Sequence, residues 1–146
     1  MCHLCDYVKL LKSAGIDPTQ TRQQVLELIG KSTEPISAQE ICDTLQKTVK
    51  VHRATIFRTL ELLVQAGILE RITSADHRSV FYDLAPNQNH RPKPYFYCRY
   101  CNRLKTVEES SLQMDVPQLM GPFQGHVEQV QVQVVGICPS CLTRVE

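Results

Sequence analysis

An α+β chain in two parts is what this sequence predicts, and three observations predict it. Apolar residues recur at helical spacing up to about residue 84. A polar stretch with three prolines, "APNQNHRPKP" (Ala85 to Pro94), then interrupts the pattern. Beyond it the apolar residues alternate instead, between two C-x-x-C pairs. The expected divisions are a helical domain over residues 1–84, a hinge over 85–94 and a second domain over 95–146.

Four helical segments account for the first half. "DYVKLLKSAG" (Asp6 to Gly15) carries Tyr7, Leu10, Leu11 and Ala14 on one face and stops at glycine. "TQTRQQVLELIGKS" starts with Thr19 as its N-cap and buries Val25, Leu26, Leu28 and Ile29. In "SAQEICDTLQK", Ser37 and Glu40 have capping-box spacing, and Cys42 falls on the core side with Ile41 and Leu45. The fourth helix, "HRATIFRTLELLVQAG", runs from about His52 to Ala66 and ends at Gly67. Its Ile56, Leu60, Leu63 and Val64 face the core, leaving Arg53, Thr55, Phe57, Arg58 and Thr59 for other faces.

Two extended pieces follow, "ILERIT" and "SVFYDL", joined by the polar turn "SADHR". Short helices followed by a small hairpin form a winged helix-turn-helix, in which the last helix before the hairpin enters the major groove of DNA. Arginine and threonine near the start of such a helix suit base edges and phosphates. A plain helical protein with a hairpin fits the same spacing. In the second half, "VEQVQVQVVG" places Val130, Val132 and Val134 on one side and glutamines on the other, as in a half-buried strand.

Composition narrows the possible functions. At 146 residues and 42% hydrophobic, the chain can pack one domain or two small ones. No leader segment or membrane-length apolar run is evident, so the expected location is the cytoplasm, with no membrane partner. A net charge of +1 means that any nucleic-acid face must be local. The seven cysteines, in a reducing compartment, point to metal or thiol chemistry. Cys98, Cys101, Cys138 and Cys141 form C-x2-C-x36-C-x2-C, four thiolates in two knuckles, which is the ligand set of a closed structural zinc site. A fully thiolate-bound zinc is anionic, so Arg99 and Arg103 beside the first knuckle make electrostatic sense. A redox-active C-x-x-C is the competing reading; no βαβ pattern surrounds either pair.

These residues together resemble the ferric uptake regulator (Fur) family of dimeric, metal-responsive bacterial repressors. The resemblance runs from about Gly15 to Cys141. It rests on "TQTRQQVLELI", "SAQEICDTL", "ATIFRTLELLVQAGIL", "VFYDL" and "VVGICPSC" in that order. It implies a winged-helix domain, a hinge and an α/β dimerisation domain with a four-cysteine zinc. The implied partners are a second copy of the chain and double-stranded DNA with a pseudo-palindromic, AT-rich operator. Arg22 would then hold phosphate, and Thr55 and Arg58 would lie on the recognition helix. Phe57 stands where the family usually has tyrosine, keeping the ring but losing the hydroxyl.

Departures from the family pattern concern the sensing metal. Only His90 remains of the histidine-rich run before the first knuckle, and Pro35 stands where several members have another histidine. Asp83, His90, Glu108 or Glu109, and His126 are the surviving candidates for a second Zn(II), Fe(II) or Mn(II). The N-terminal "MCHLC" offers Cys2, His3 and Cys5 as another metal site or as a thiol pair that oxidises to a disulfide. No catalytic constellation stands out, so an enzyme is expected only through thiol chemistry. A zinc-clip interaction module that binds no DNA is a further alternative.

Overall fold

The computed structural model describes residues 6–86, 93–107, 118 and 120–145. The chain divides into two compact units, Met1–Pro92 and Lys93–Glu146. Most of the stretch read as a hinge, residues 87–92, lies outside the described residues.

The first unit opens with helix α1 (Tyr7–Ser13), whose N-cap Asp6 accepts a hydrogen bond from Lys9 N at 3.1 Å. Gly15 then adopts φ +73°, its N–H donates to Lys12 O, and Ile16 N donates to Leu11 O. This is a Schellman ending, and the buried Ile16 supplies its apolar contact. Ala14, expected on the buried face, is the exposed C-cap instead. Helix α2 (Gln20–Lys31) is capped by Thr19 as expected and buries Val25, Leu26 and Ile29, with Leu28 half-buried.

Strand β1 (Ile36–Ser37) leads into helix α3 (Ala38–Thr48), where Ser37 Oγ accepts from Glu40 N at 3.2 Å. Helix α4 (Arg53–Gln65) repeats the Schellman ending, with Gly67 at φ +76° and Ile68 N donating to Leu63 O. Thr59 is a correction to the expected face: it is buried, its hydroxyl donating to Thr55 O at 2.8 Å, which satisfies the polar atom inside the helix. Val64 is only partly buried.

Strands β2 (Leu69–Thr73) and β3 (Val80–Leu84) form the expected hairpin, and β1 joins its far edge to give the antiparallel order β1-β3-β2. Helix α2 packs on α4 and β3, so one core unites helices and sheet. Ile56, Leu60 and Leu63 are fully buried in it, each contributing roughly 1.5–3 kcal/mol. Cys42 is buried there too. Helices closed by a β hairpin make this unit a winged helix.

The second unit is built on a three-stranded sheet of order β5-β4-β6, followed by helix α5 (Pro139–Val145). Strands β4 (Tyr95–Cys98) and β5 (Leu104–Thr106) are antiparallel, while β6 (Gln133–Gly136) runs parallel to β4. The strand expected over Val127 to Gly136 is therefore shorter, and it is not half-buried. Val130, which precedes β6, and Val134 and Val135 within it are 42%, 44% and 48% exposed, whereas Val132 is partly buried.

Candidate metal centre and nucleic-acid interface

Backbone pairing assembles the metal centre. Residue Cys98 ends β4, and the chain turns back through Asn102, whose φ of 59° and N–H to Cys98 O make the first knuckle tight. The fully buried Tyr97 fixes that turn by donating its hydroxyl to Asn102 Oδ1 at 3.0 Å. In the β4–β6 ladder Cys98 stands opposite Gly136, so the second knuckle begins beside the first. Cys138 N then donates to Cys98 Sγ at 3.3 Å, and Cys141 N donates to Cys138 O as α5 starts. Gly136 lets the strand pass close to the Phe96 ring, which a Cβ would meet at a tight 3.2 Å.

All four sulfurs lie within 4.8 Å of one another, and Cys101 Sγ is 3.9 Å from Cys138 Sγ. Tetrahedral zinc with bonds of about 2.3 Å requires sulfurs about 3.8 Å apart, so the four residues fit that ion. Cys98, Cys138 and Cys141 are buried, whereas Cys101 is exposed. Burial pushes the Cys98 thiol up, but N–H groups of Cys101, Cys138 and Tyr100 outweigh it and bring the value down to about 6. Burial, together with the neighbouring cysteine sulfurs, pushes Cys141 up to about 12. A hydrogen bond from the Cys141 backbone lowers the Cys138 thiol as well. The cluster thus favours thiolate at two buried sulfurs, Cys98 and Cys138, and resists a further negative charge at Cys141, an imbalance that a bound divalent cation offsets.

The second candidate surface lies on α4. Arg53, Thr55 and Arg58 are exposed. Phe57 is half-buried, packing on the core from its edge, and the Arg53 guanidinium lies over its ring, 5.2 Å from the centroid. Arg53 Nη2 also donates to Gln39 Oε1 at 2.7 Å, and Gln39 Nε2 donates to Asp43 Oδ1 at 2.9 Å. Gln39 and Asp43, on α3, escape a reading that examines α4 alone. Arg22 Nη1 donates to Asp17 O at 2.8 Å, which places its charge at the start of α2. The hairpin turn is ordered by Asp76, whose carboxylate accepts from Ser74 Oγ and Arg78 N.

Among the described residues, the four cysteines are the only group of three or more His, Cys, Asp or Glu side chains placed to hold a metal. Asp83 is half-buried in β3, where its carboxylate accepts from Leu84 N at 2.8 Å, and His126 is exposed. His90, Glu108 and Glu109 lie outside the described residues, as do Cys2, His3 and Cys5. Lys105 and Arg144 join Arg103 around the cysteines; for Lys105 the signal was its i,i+2 spacing from Arg103. No helix among the described residues is long and apolar enough to cross a membrane.

Comparison with known proteins agrees with this architecture. Residues 13–135 match the model of the ferric uptake regulator family. A ferric uptake regulation protein of Staphylococcus epidermidis is 26% identical over 137 residues, covering 93% of this chain and 94% of that protein. The Helicobacter pylori ferric uptake regulator, described as having three functional metal-binding sites, superposes with a TM-score of 0.75 at 15% identity, covering 97% of each chain. A zinc uptake regulator in complex with zinc and DNA superposes with a TM-score of 0.63 at 19% identity, covering 94% of this chain and 91% of that one. Proteins of this family are transcription regulators, not enzymes. With residues 13–135 matched, the chain belongs to the ferric uptake regulator family.

Proposed function

We propose that this chain is a sequence-specific, DNA-binding transcriptional repressor that works as a homodimer in the cytoplasm. The observation that carries the reading is the surface of α4: Arg53, Thr55 and Arg58 are exposed on the helix that precedes a β hairpin, and the same helix packs into the buried core of its unit. In that arrangement the helix enters the major groove, Arg58 and Thr55 meet base edges or phosphates, and Arg22 holds phosphate from the start of α2. The ring of Phe57 remains available to a thymine methyl along its exposed edge. The zinc uptake regulator bound to DNA, which shares this fold, supports the reading.

One structural zinc per chain is held by Cys98, Cys101, Cys138 and Cys141, and it closes the second unit by joining its first strand to its last helix. Bound there, the ion supplies folding energy and leaves no position open for chemistry. The exposed Phe123, Val127, Val130, Val134 and Val135 are the surface that a second copy covers. A second metal, zinc or iron, controls DNA binding, with Asp83, His90, Glu108 and His126 as its candidate ligands.

Selection of duplexes from a random DNA library on the zinc-loaded protein tests the repressor reading. It should enrich a two-fold-related, AT-rich pair of half-sites bound by two protomers. Retention of no duplex above background, with or without added Zn(II), Fe(II) or Mn(II), would contradict it.

A further inference from the structure

Next to the cysteines is a cavity of about 280 Å³ lined by Cys101, Arg103, Lys105, Ser140 and Arg144, with Cys138 and Cys141 at its wall. Cys101 is the one exposed ligand of the four. Arg103 and Arg144 are exposed and Lys105 is partly so, so their charges face solvent. Among the described lining residues, three cations exceed the formal charge of about −2 on a zinc bound by four thiolates, a balance that attracts anions. Three of the four cysteines line this cationic cavity, and of them only Cys101 is exposed.

From this geometry we infer that Cys101 is a modification site for anionic low-molecular-weight disulfides. The inference rests on the zinc reading above. The Cys101 thiolate attacks one sulfur of the disulfide RSSR, forming a Cys101–SR mixed disulfide, and the electron pair of the broken S–S bond leaves on RS⁻. Cys138 Sγ, 3.9 Å away, then attacks the Cys101 sulfur, closing a Cys101–Cys138 disulfide and expelling the second RS⁻. Two cysteine thiolates are oxidised and one disulfide is reduced to two thiolates, so electrons and atoms balance. Two thiolates then remain where four stood, too few to retain the ion. Arg103, Lys105 and Arg144 orient the carboxylates of RSSR and give the site its preference for negative charge.

The test uses the full-length protein shown beforehand to hold one zinc per chain. Zinc release is followed with a chromogenic chelator under glutathione disulfide, which is anionic, or cystamine, which is cationic, and each rate is divided by that reagent's rate with free cysteine. Glutathione disulfide should release zinc about tenfold faster on this scale. Peptide mass spectrometry at early times should place glutathione on Cys101. The triple variant Arg103→Gln, Lys105→Gln, Arg144→Gln, which changes only side chains at the surface, should keep its zinc and lose the preference. Equal normalised rates for the two reagents, first modification at another cysteine, or an unchanged preference in the triple variant would overturn the inference while leaving the zinc reading intact. Protein that holds no zinc after purification under reducing conditions would overturn both.

Discussion

Cys98 stands directly across the parallel β4–β6 ladder from Gly136, two residues before Cys138. Sheet pairing, not chain proximity, therefore brings together two knuckles that are distant in sequence. In the same sheet β6 lies at an edge of the described strands, with Val134 and Val135 exposed on it.

Removing one sulfur should undo the second unit. A structural zinc contributes on the order of 10 kcal/mol of folding energy, and among the described residues the buried cluster around it consists of Cys98, Cys138 and Cys141 with Phe96 and Ile137 packed against them. The Cys98→Ser variant should bind less than one-tenth of the zinc of the unaltered chain by mass spectrometry, and Tyr97 should lose its protection from hydrogen exchange. Treatment with a strong chelator should have the same effect, while amides of α2 and α4 remain protected.

The valines of β6 should control assembly. Val135→Glu places a charge on an exposed edge strand and should leave the isolated chain intact. Sedimentation should show a dimer for the unaltered protein and a monomer for the variant at the same micromolar concentration, each retaining its zinc.

Leu60, on α4, is fully buried against the rest of the first unit. Leu60→Ala should cost about 2–5 kcal/mol in urea unfolding. Ser37→Ala, which removes the hydroxyl that accepts from Glu40 N, should cost only about 1 kcal/mol.

Orientation of Arg53 should depend on α3. Gln39→Ala removes the acceptor at 2.7 Å, and Phe57→Leu removes the ring beneath the guanidinium. The cation–π contact is worth about 0.5–1 kcal/mol at an exposed site. Titration of a selected duplex should show each variant binding several-fold more weakly than the unaltered protein, with no change in melting temperature for Gln39→Ala.

Features set by local rules were legible in the sequence. Thr19 and Ser37 cap helices, and Gly15 and Gly67 end them. The two C-x-x-C pairs were legible from their ligand chemistry, although it is sheet pairing that brings them together. Features set by tertiary context were not. Strand β1 is two residues long and exists only because β3 offers an edge, so no alternation reveals it. Thr59 reads as polar and outward, yet it is buried because its hydroxyl finds Thr55 O within its own helix. The valine alternation of "VEQVQVQVVG" reads as a half-buried strand, yet among the described residues Val130 and Val134 of that face are exposed. The link from Asp43 through Gln39 to Arg53 spans two helices and has no sequence period at all.

The most direct test of the DNA-binding account is the affinity of Arg58→Ala relative to the unaltered, zinc-loaded protein for a selected duplex, measured at two salt concentrations. Arg58 is exposed, so its loss should leave melting unchanged. The account predicts a loss of about 1–3 kcal/mol in affinity for the selected duplex, and binding by the unaltered protein that weakens steeply as salt rises. Equal affinity for both proteins, or binding that does not respond to salt, would contradict it.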